Sequence, residues 1–434
     1  MQFAAFRFLR NRNMRLGILE LEWIVGGSCV FSVDLGNHLS IPLQGQVVGL
    51  SFTPLSDTAA AVLSPKFRIV SPKNRMATFQ NQSRWLFSTV KELELDTLLF
   101  TFSTPSANAI NCLPPEISKI GVLHSVDPEL IEFVARHGDA FDRIVSISLR
   151  GLDLLRSLNP GFENRHLHLP PGILMPDDSY RRPRAPNDCL RILYLGRVMQ
   201  PIKRVWDSVR LSEWLNRIDL PFHMTIAGNG PEVEPIRSWI HDHSLRNVSL
   251  LGPVARSQLA DLFSKNDVFF SPSEREAFPL AIQEGIAHGL VPIAANVPGR
   301  LAEAVEQAGG FLAPPGDIDG FGRTCRELFD NRASLPCLSH AASKSISTEL
   351  GWEPVADRWL RMLEASARGV QSVDWHKAKY HCAPVGPLHY AGSSSFLVRS
   401  LYACLAWIES LTPNLAKIIR RASYQCILMW RRGR

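Results

Sequence analysis

No two of the eight cysteines stand at C-x-x-C spacing. That excludes a dithiol redox motif and a paired-cysteine zinc site. The thiols read as reduced side chains of a cytosolic protein. No apolar run approaches the roughly 18 residues that a membrane-spanning helix needs. The opening MQFAAFRFLRNRN interrupts its apolar residues with arginines, so it lacks the unbroken centre of a secretion signal. The expected location is the cytoplasm. The body also lacks an excess of either charge: before Gln371, 38 Lys/Arg face 39 Asp/Glu. Nothing there asks for nucleic acid.

The formal charge of +6 resides in the last stretch, where nine Lys/Arg meet two Asp/Glu from Gln371 to Arg434. Tyr402, Trp407, Tyr424 and Trp430 lie there among Lys417, Arg420, Arg421, Arg431 and Arg432. Mixed aromatic and basic patches suit an anionic membrane surface; a helix packed on the first domain is the alternative. A peripheral position at the inner membrane face is the expectation, and retention by anionic liposomes tests it.

With 434 residues, 45% of them hydrophobic, the chain can bury more than one core. Leu16–Leu21 reads as a strand. It leads through Gly26-Gly27 to a helical pattern with Phe31, Leu35 and Leu39 at four-residue spacing, then to the strand-like QVVGLSF. Strand, glycine turn, helix, strand opens a βαβ unit. Further apolar runs recur at Asp96–Phe102, Ile120–His124 and Arg143–Ser148. A Pro-, Asp- and Arg-rich stretch, PDDSYRRPRAPND, then reads as a linker. A second alternating series follows with RILYLG, FHMTIAG, NVSLLG, DVFFSPS and LVPIAAN. The fold class expected is α/β, with two doubly wound Rossmann-like domains in tandem. The boundaries are 1–178 and 189–351, with a helix over 352–369 closing the second domain and a basic amphipathic tail over 370–434.

The stretch SEREAFPLAIQEGIAHG holds Glu276 and Glu284 eight positions apart. It follows a strand's carboxyl end, where open α/β sheets bind ligands. Pro279 suits the first helical turn and Gly289 the stop, so Glu284 falls about one turn inside a helix. A carboxylate that accepts two hydrogen bonds suits a vicinal diol. A helix-start charge and a surface glutamate are the plainer alternative. Arg197 and Lys203 follow another strand end; they read as a pyrophosphate clamp or as a solvated basic loop. The G-x-G of IAGNGPE lacks the third glycine of a dinucleotide fingerprint. Asp317-Ile318-Asp319 reads as a helix cap, and no metal is expected.

GRVMQPIKRV, IAGNGPEVEPIR, NVSLLGPV, DVFFSPSEREAFPLAIQEGIAHGLVPIAA and GGFLAPPGD occur in this order. Together they resemble the retaining glycosyltransferases of the GT-B fold, family 4, and the glutamate stretch resembles that family's E-x7-E motif. The resemblance covers Arg191–Asp317 well and the first half loosely, through GGSCVFSVDLGNHL, VLHSVDPELIE, IVSIS and LPPGI. It implies a metal-independent, retaining hexosyltransferase in polysaccharide biosynthesis. No cofactor is expected; the donor is a nucleotide diphosphate sugar and the acceptor a glycan or a lipid-linked glycan. Residue by residue, the resemblance gives Glu284 to the donor ribose and Glu276 to the donor sugar, with backbone amides at Phe278 and Leu280. Arg197 and Lys203 would neutralise the diphosphate, His124 would sit near the reacting carbon, and Gly27 would let the backbone approach the phosphates. Ala277 stands where the family usually has glycine. Two other readings share this fold, a nucleotide-sugar epimerase and a non-catalytic binding or scaffold protein.

Overall fold

The computed structural model describes residues 14–23, 26–74, 79–102, 109–110, 112–177 and 188–367. The basic tail and most of the Pro/Arg-rich linker lie outside them.

Two parallel sheets are built in chain order. The first has seven strands: β1 (Leu16–Glu20), β2 (Val47–Ser51), β3 (Arg68–Val70), β4 (Thr97–Thr101), β5 (Ser118–Leu123), β6 (Arg143–Ser146) and β7 (His166–His168), in spatial order β3-β2-β1-β4-β5-β6-β7. The second has six: β8 (Leu190–Leu195), β9 (Phe222–Ala227), β10 (Val248–Gly252), β11 (Val268–Ser271), β12 (Val291–Ala295) and β13 (Phe311–Ala313), ordered β10-β9-β8-β11-β12-β13. Both are doubly wound Rossmann-like sheets. Every residue of β1, β5, β11 and β12 is buried, which is why these strands read as continuous apolar runs rather than alternating ones. The strand order reverses beside β1 in one sheet and beside β8 in the other. Ligands bind at such switch points.

Each sheet carries its own core. Ile192, Met224, Ile226, Phe270, Ile286 and Phe321 are central in the second. The first half is packed on both faces of its sheet, around Leu16, Phe31 and Leu35 on one side and Phe52, Phe100 and Phe141 on the other.

The C-terminal helix, Trp352–Ala367, does not close the second domain. It lies against the helix Gly27–Leu39 of the first. Trp359 is fully buried there, 5.3 Å from the Phe31 ring centroid, and Trp352 stacks on His38 at 5.3 Å. The apolar face of this helix is aromatic, and the first half supplies the matching aromatic wall. The chain therefore passes between the halves twice. The two crossings touch in a parallel bridge at Ile173 and Gly351, where the Ile173 amide donates to the Leu350 carbonyl at 2.8 Å. A Cβ on Gly172 would come within 2.3 Å of the Trp352 ring, so the crossings pack without room for a side chain.

Candidate functional site

The neighbouring strands β8 and β11 end at the switch point of the second sheet. The loop after β8 carries Arg197 and Lys203. The loop after β11 carries Glu276 and Phe278 and runs into the helix Leu280–Ala287, which holds Glu284. Facing them, the helix Gly27–Leu39 starts beside β1, and His124 follows the last residue of β5. All eight residues line one cleft of about 430 Å³ between the two halves. Two helix N-termini open into it, at Gly26–Gly27 and at Pro279–Ala281. Unpaired amides and the helix dipole make such ends attractive to anions. A Cβ on Gly26 or Gly27 would meet nothing within 4 Å, so that backbone faces open space.

Lys203 Nζ lies 2.6 Å from Glu276 Oε1, and both side chains are mostly buried. Arg197 is exposed, with no carboxylate partner among the described residues. The His124 ring packs edge-on against Phe31 at 4.8 Å. Its Nε2 is buried with no hydrogen-bond partner among the described residues, and burial pushes the pKa down to about 3. His124 is thus a neutral imidazole whose Nε2 lacks a hydrogen-bond partner among the described residues.

Pro279 caps the helix rather than occupying its first turn. Its φ of −81° and ψ of 80° form an inverse γ-turn, and the Leu280 amide donates to the Phe278 carbonyl at 3.0 Å. The expected donor amide at Leu280 is therefore already used. The following amides, at Ala281 and Ile282, are the ones the first turn leaves without an intrahelical carbonyl. Gly289 ends the helix with a φ of +81°, as its position after the last apolar residue predicts.

Glu284 is where the largest difference lies. It is buried at 2% exposure and already hydrogen-bonded inside the protein. Arg256 grips it with two hydrogen bonds, Nη1 to Oε2 at 2.9 Å and Nη2 to Oε1 at 2.8 Å. The Leu174 amide gives a third, to Oε1 at 3.2 Å. The same Arg256 Nη2 crosses the cleft to Asp34 Oδ2 at 2.5 Å. Burial raises the Asp34 pKa, Arg256 lowers it and Glu284 raises it again, to about 6. Burial pulls Arg256 down, but Glu284 and Asp34 outweigh it and raise its pKa. Sequence reasoning named neither Arg256 nor Asp34. They stand 222 positions apart, and no local pattern links them.

The two other motifs have structural explanations. A Cβ on Gly228 would meet the Gly196 carbonyl oxygen at 1.8 Å, and one on Gly230 the Val198 carbonyl at 2.2 Å. The G-x-G therefore lets this loop press onto the loop after β8. Asp317 caps its helix through the Gly320 amide at 2.9 Å, and Asp319 accepts from Trp214 Nε1 at 2.7 Å.

Two facing Rossmann-like halves with a cleft at their strand ends define the GT-B fold. HepE of Anabaena, solved in complex with UDP and glucose, superposes with a TM-score of 0.66 at 15% identity, covering 81% of this chain and 100% of that one. Sucrose-phosphate synthase of Thermosynechococcus elongatus gives 0.64 at 16%, with the same coverage. The family model described as glycosyl transferases group 1 matches residues 179–345. Among curated proteins, a glycogen synthase of Mycobacterium tuberculosis is 26% identical over 194 residues, 44% of this chain and 45% of that protein. A D-inositol 3-phosphate glycosyltransferase of Paenarthrobacter aurescens is 26% identical over 56% of each chain. The chain thus spans about half the length of the curated relatives it matches. Among the described residues, no helix is long and apolar enough to cross a membrane.

Proposed function

We propose that this chain is a metal-independent retaining glycosyltransferase. It moves a hexosyl group from a nucleotide diphosphate sugar to a glycan or lipid-linked acceptor. One observation carries the reading: eight residues chosen from scattered motifs line a single cleft between the two halves. The matched glycosyl transferases group 1 region and the UDP and glucose complex of HepE support it.

In this reading the sugar–phosphate C–O bond breaks and the diphosphate leaves with the bonding electrons. An acceptor hydroxyl oxygen forms the new bond on the same face, and its proton passes to the departing phosphate oxygen. Lys203, Arg197 and the two helix N-termini face the space where that charge collects. Charge-stabilising groups fixed beforehand favour the transition state over the ground state. Glu276 holds the sugar, Glu284 the ribose, and neutral His124 offers Nε2 to a hydroxyl near the reacting carbon. The domains proposed are 1–178 and 189–351, one sheet in each. Residues 370–434 would add a membrane-facing surface.

Calorimetric titration with UDP, GDP and ADP tests the donor site, on the wild type and on Glu284→Ala. One nucleotide should bind, and the substitution should weaken it by more than about tenfold, or about 1.4 kcal/mol. If none of the three binds the wild type, the scaffold reading replaces this one. Product analysis without acceptor separates transfer from epimerisation.

A further inference from the structure

The acceptor capacity of Glu284 is almost spent inside the protein. An ionised carboxylate offers about four lone-pair sites. Arg256 takes one on each oxygen and the Leu174 amide takes a third. A bidentate guanidinium presents two parallel N–H groups to the two carboxylate oxygens. A vicinal diol likewise presents two adjacent O–H donors to the two oxygens of one carboxylate. Guanidinium and diol therefore need the same face of the same carboxylate.

From this geometry we propose that Arg256 is a displaceable occupant of the donor site. It fills the diol-accepting face of Glu284 when no nucleotide is bound, and the ribose must push it aside. The proposal rests on the donor-site reading above and names a residue that the reading did not contain.

Three details make displacement feasible. Arg256 Nη2 is shared with Asp34 on the opposite wall, so an Arg256 that swings away from Glu284 keeps a carboxylate partner. The guanidinium is then not stranded, which is the outcome that makes breaking a buried ion pair expensive. Arg256 itself lines the cleft, together with Pro253, Val254 and Leu259, so the side chain borders open volume. Finally, the Leu174 amide, on the crossing between the halves, donates to Oε1, so Glu284 keeps one internal partner when Arg256 leaves.

The consequence is a tax on donor affinity. A ligand that competes with an internal occupant binds with an affinity reduced by the fraction of molecules in which the occupant is away. Removing the occupant should therefore tighten nucleotide binding. Had Arg256 instead been an anchor that aims Glu284 at the ribose, removing it would loosen binding. The two roles predict opposite signs.

The experiment is calorimetric titration of the full chain with UDP, GDP and ADP, comparing wild type with Arg256→Gln and with the double variant Arg256→Gln/Asp34→Asn. The double variant removes charge from both walls together and guards against a single variant that fails to fold. Thermal unfolding is recorded alongside. The expected result is a nucleotide that binds wild type and binds the double variant about tenfold more tightly, or about 1.4 kcal/mol. Binding that is unchanged or weaker in a folded variant overturns the displacement while leaving the donor site intact. Silence of all three nucleotides in every protein sinks the donor site, and the displacement with it.

Discussion

Lys203 Nζ and Glu276 Oε1 are 2.6 Å apart, on loops that leave the adjacent strands β8 and β11. The pair closes the floor of the cleft at the switch point. Lys203→Met removes the cation that the proposed mechanism sets beside the departing diphosphate. Losing one preorganised charge-stabilising group typically lowers turnover by about 10²–10³-fold. Initial rates at saturating donor should fall by that order. A rate within threefold of wild type would put the leaving-group charge elsewhere.

His124 makes a prediction about pH. Its pKa is pushed from 6.5 to about 3 by burial, so the native state binds fewer protons than the unfolded chain between those values. Stability tied to this residue is present above pH 6.5 and is lost as pH falls toward 3, by up to about 1.4 kcal/mol per unit. Thermal unfolding of His124→Gln should be less acid-sensitive over that window. The pH–rate profile between 5 and 8 should keep its shape in the same variant, because a neutral imidazole does not titrate there.

Glu20, at the end of β1, predicts the opposite slope. It is buried and accepts hydrogen bonds from Ser32 Oγ at 2.5 Å and Thr101 Oγ1 at 2.7 Å. Burial raises its pKa from 4.5 to about 7 despite those bonds. The native state then holds a proton that the unfolded chain has released. Its contribution is full below pH 4.5 and is lost as pH rises to 7. Glu20→Gln stays neutral and can still accept both hydroxyls. Its unfolding temperature should exceed that of wild type at pH 8 and match it near pH 4.5.

Gly228→Ala is expected to be among the most damaging single changes in the second half. Its Cβ would lie 1.8 Å from the Gly196 carbonyl oxygen, and the φ of +138° is one that alanine avoids. Backbone displacement or strain at such sites costs upwards of about 3 kcal/mol. Denaturant titration should show a drop of that order, with the loop before Arg197 moved and nucleotide binding weakened.

Much of this architecture was legible because parallel strands are buried on both faces. LGILE, KIGVL, VFFS and VPIAA announce themselves as apolar runs, and the glycines and Pro279 punctuate the helices between them. The short edge strands β3, β7 and β13 carry partly exposed residues and gave no comparable signal. The eight cleft residues were reachable through the family resemblance, whose motifs fall in the loops and helices that follow β1, β5, β8 and β11. Arg256 and Asp34 were not, since an ion pair between two halves has no periodicity to follow. The Pro279 γ-turn was missed for another reason: proline fits both the cap and the first helical position, and only ψ separates them. The helix after Gly351 was expected to close the second domain, because it follows that domain in the chain; chain order does not reveal that its aromatic face packs on the first half.

The two crossings are pinned together at Ile173 and Gly351, so the halves would turn about one pivot rather than two, like the leaves of a door. A rotation at that bridge would be amplified along the lever arm to the cleft mouth, while residues beside the pivot would hardly move. Glu284 is tied to the pivot through the Leu174 amide, whereas Asp34 stands on the opposite leaf. Trp352 packs against Gly172 on the first leaf, so a methyl group on Gly172 would push on the helix Trp352–Ala367 right beside that pivot.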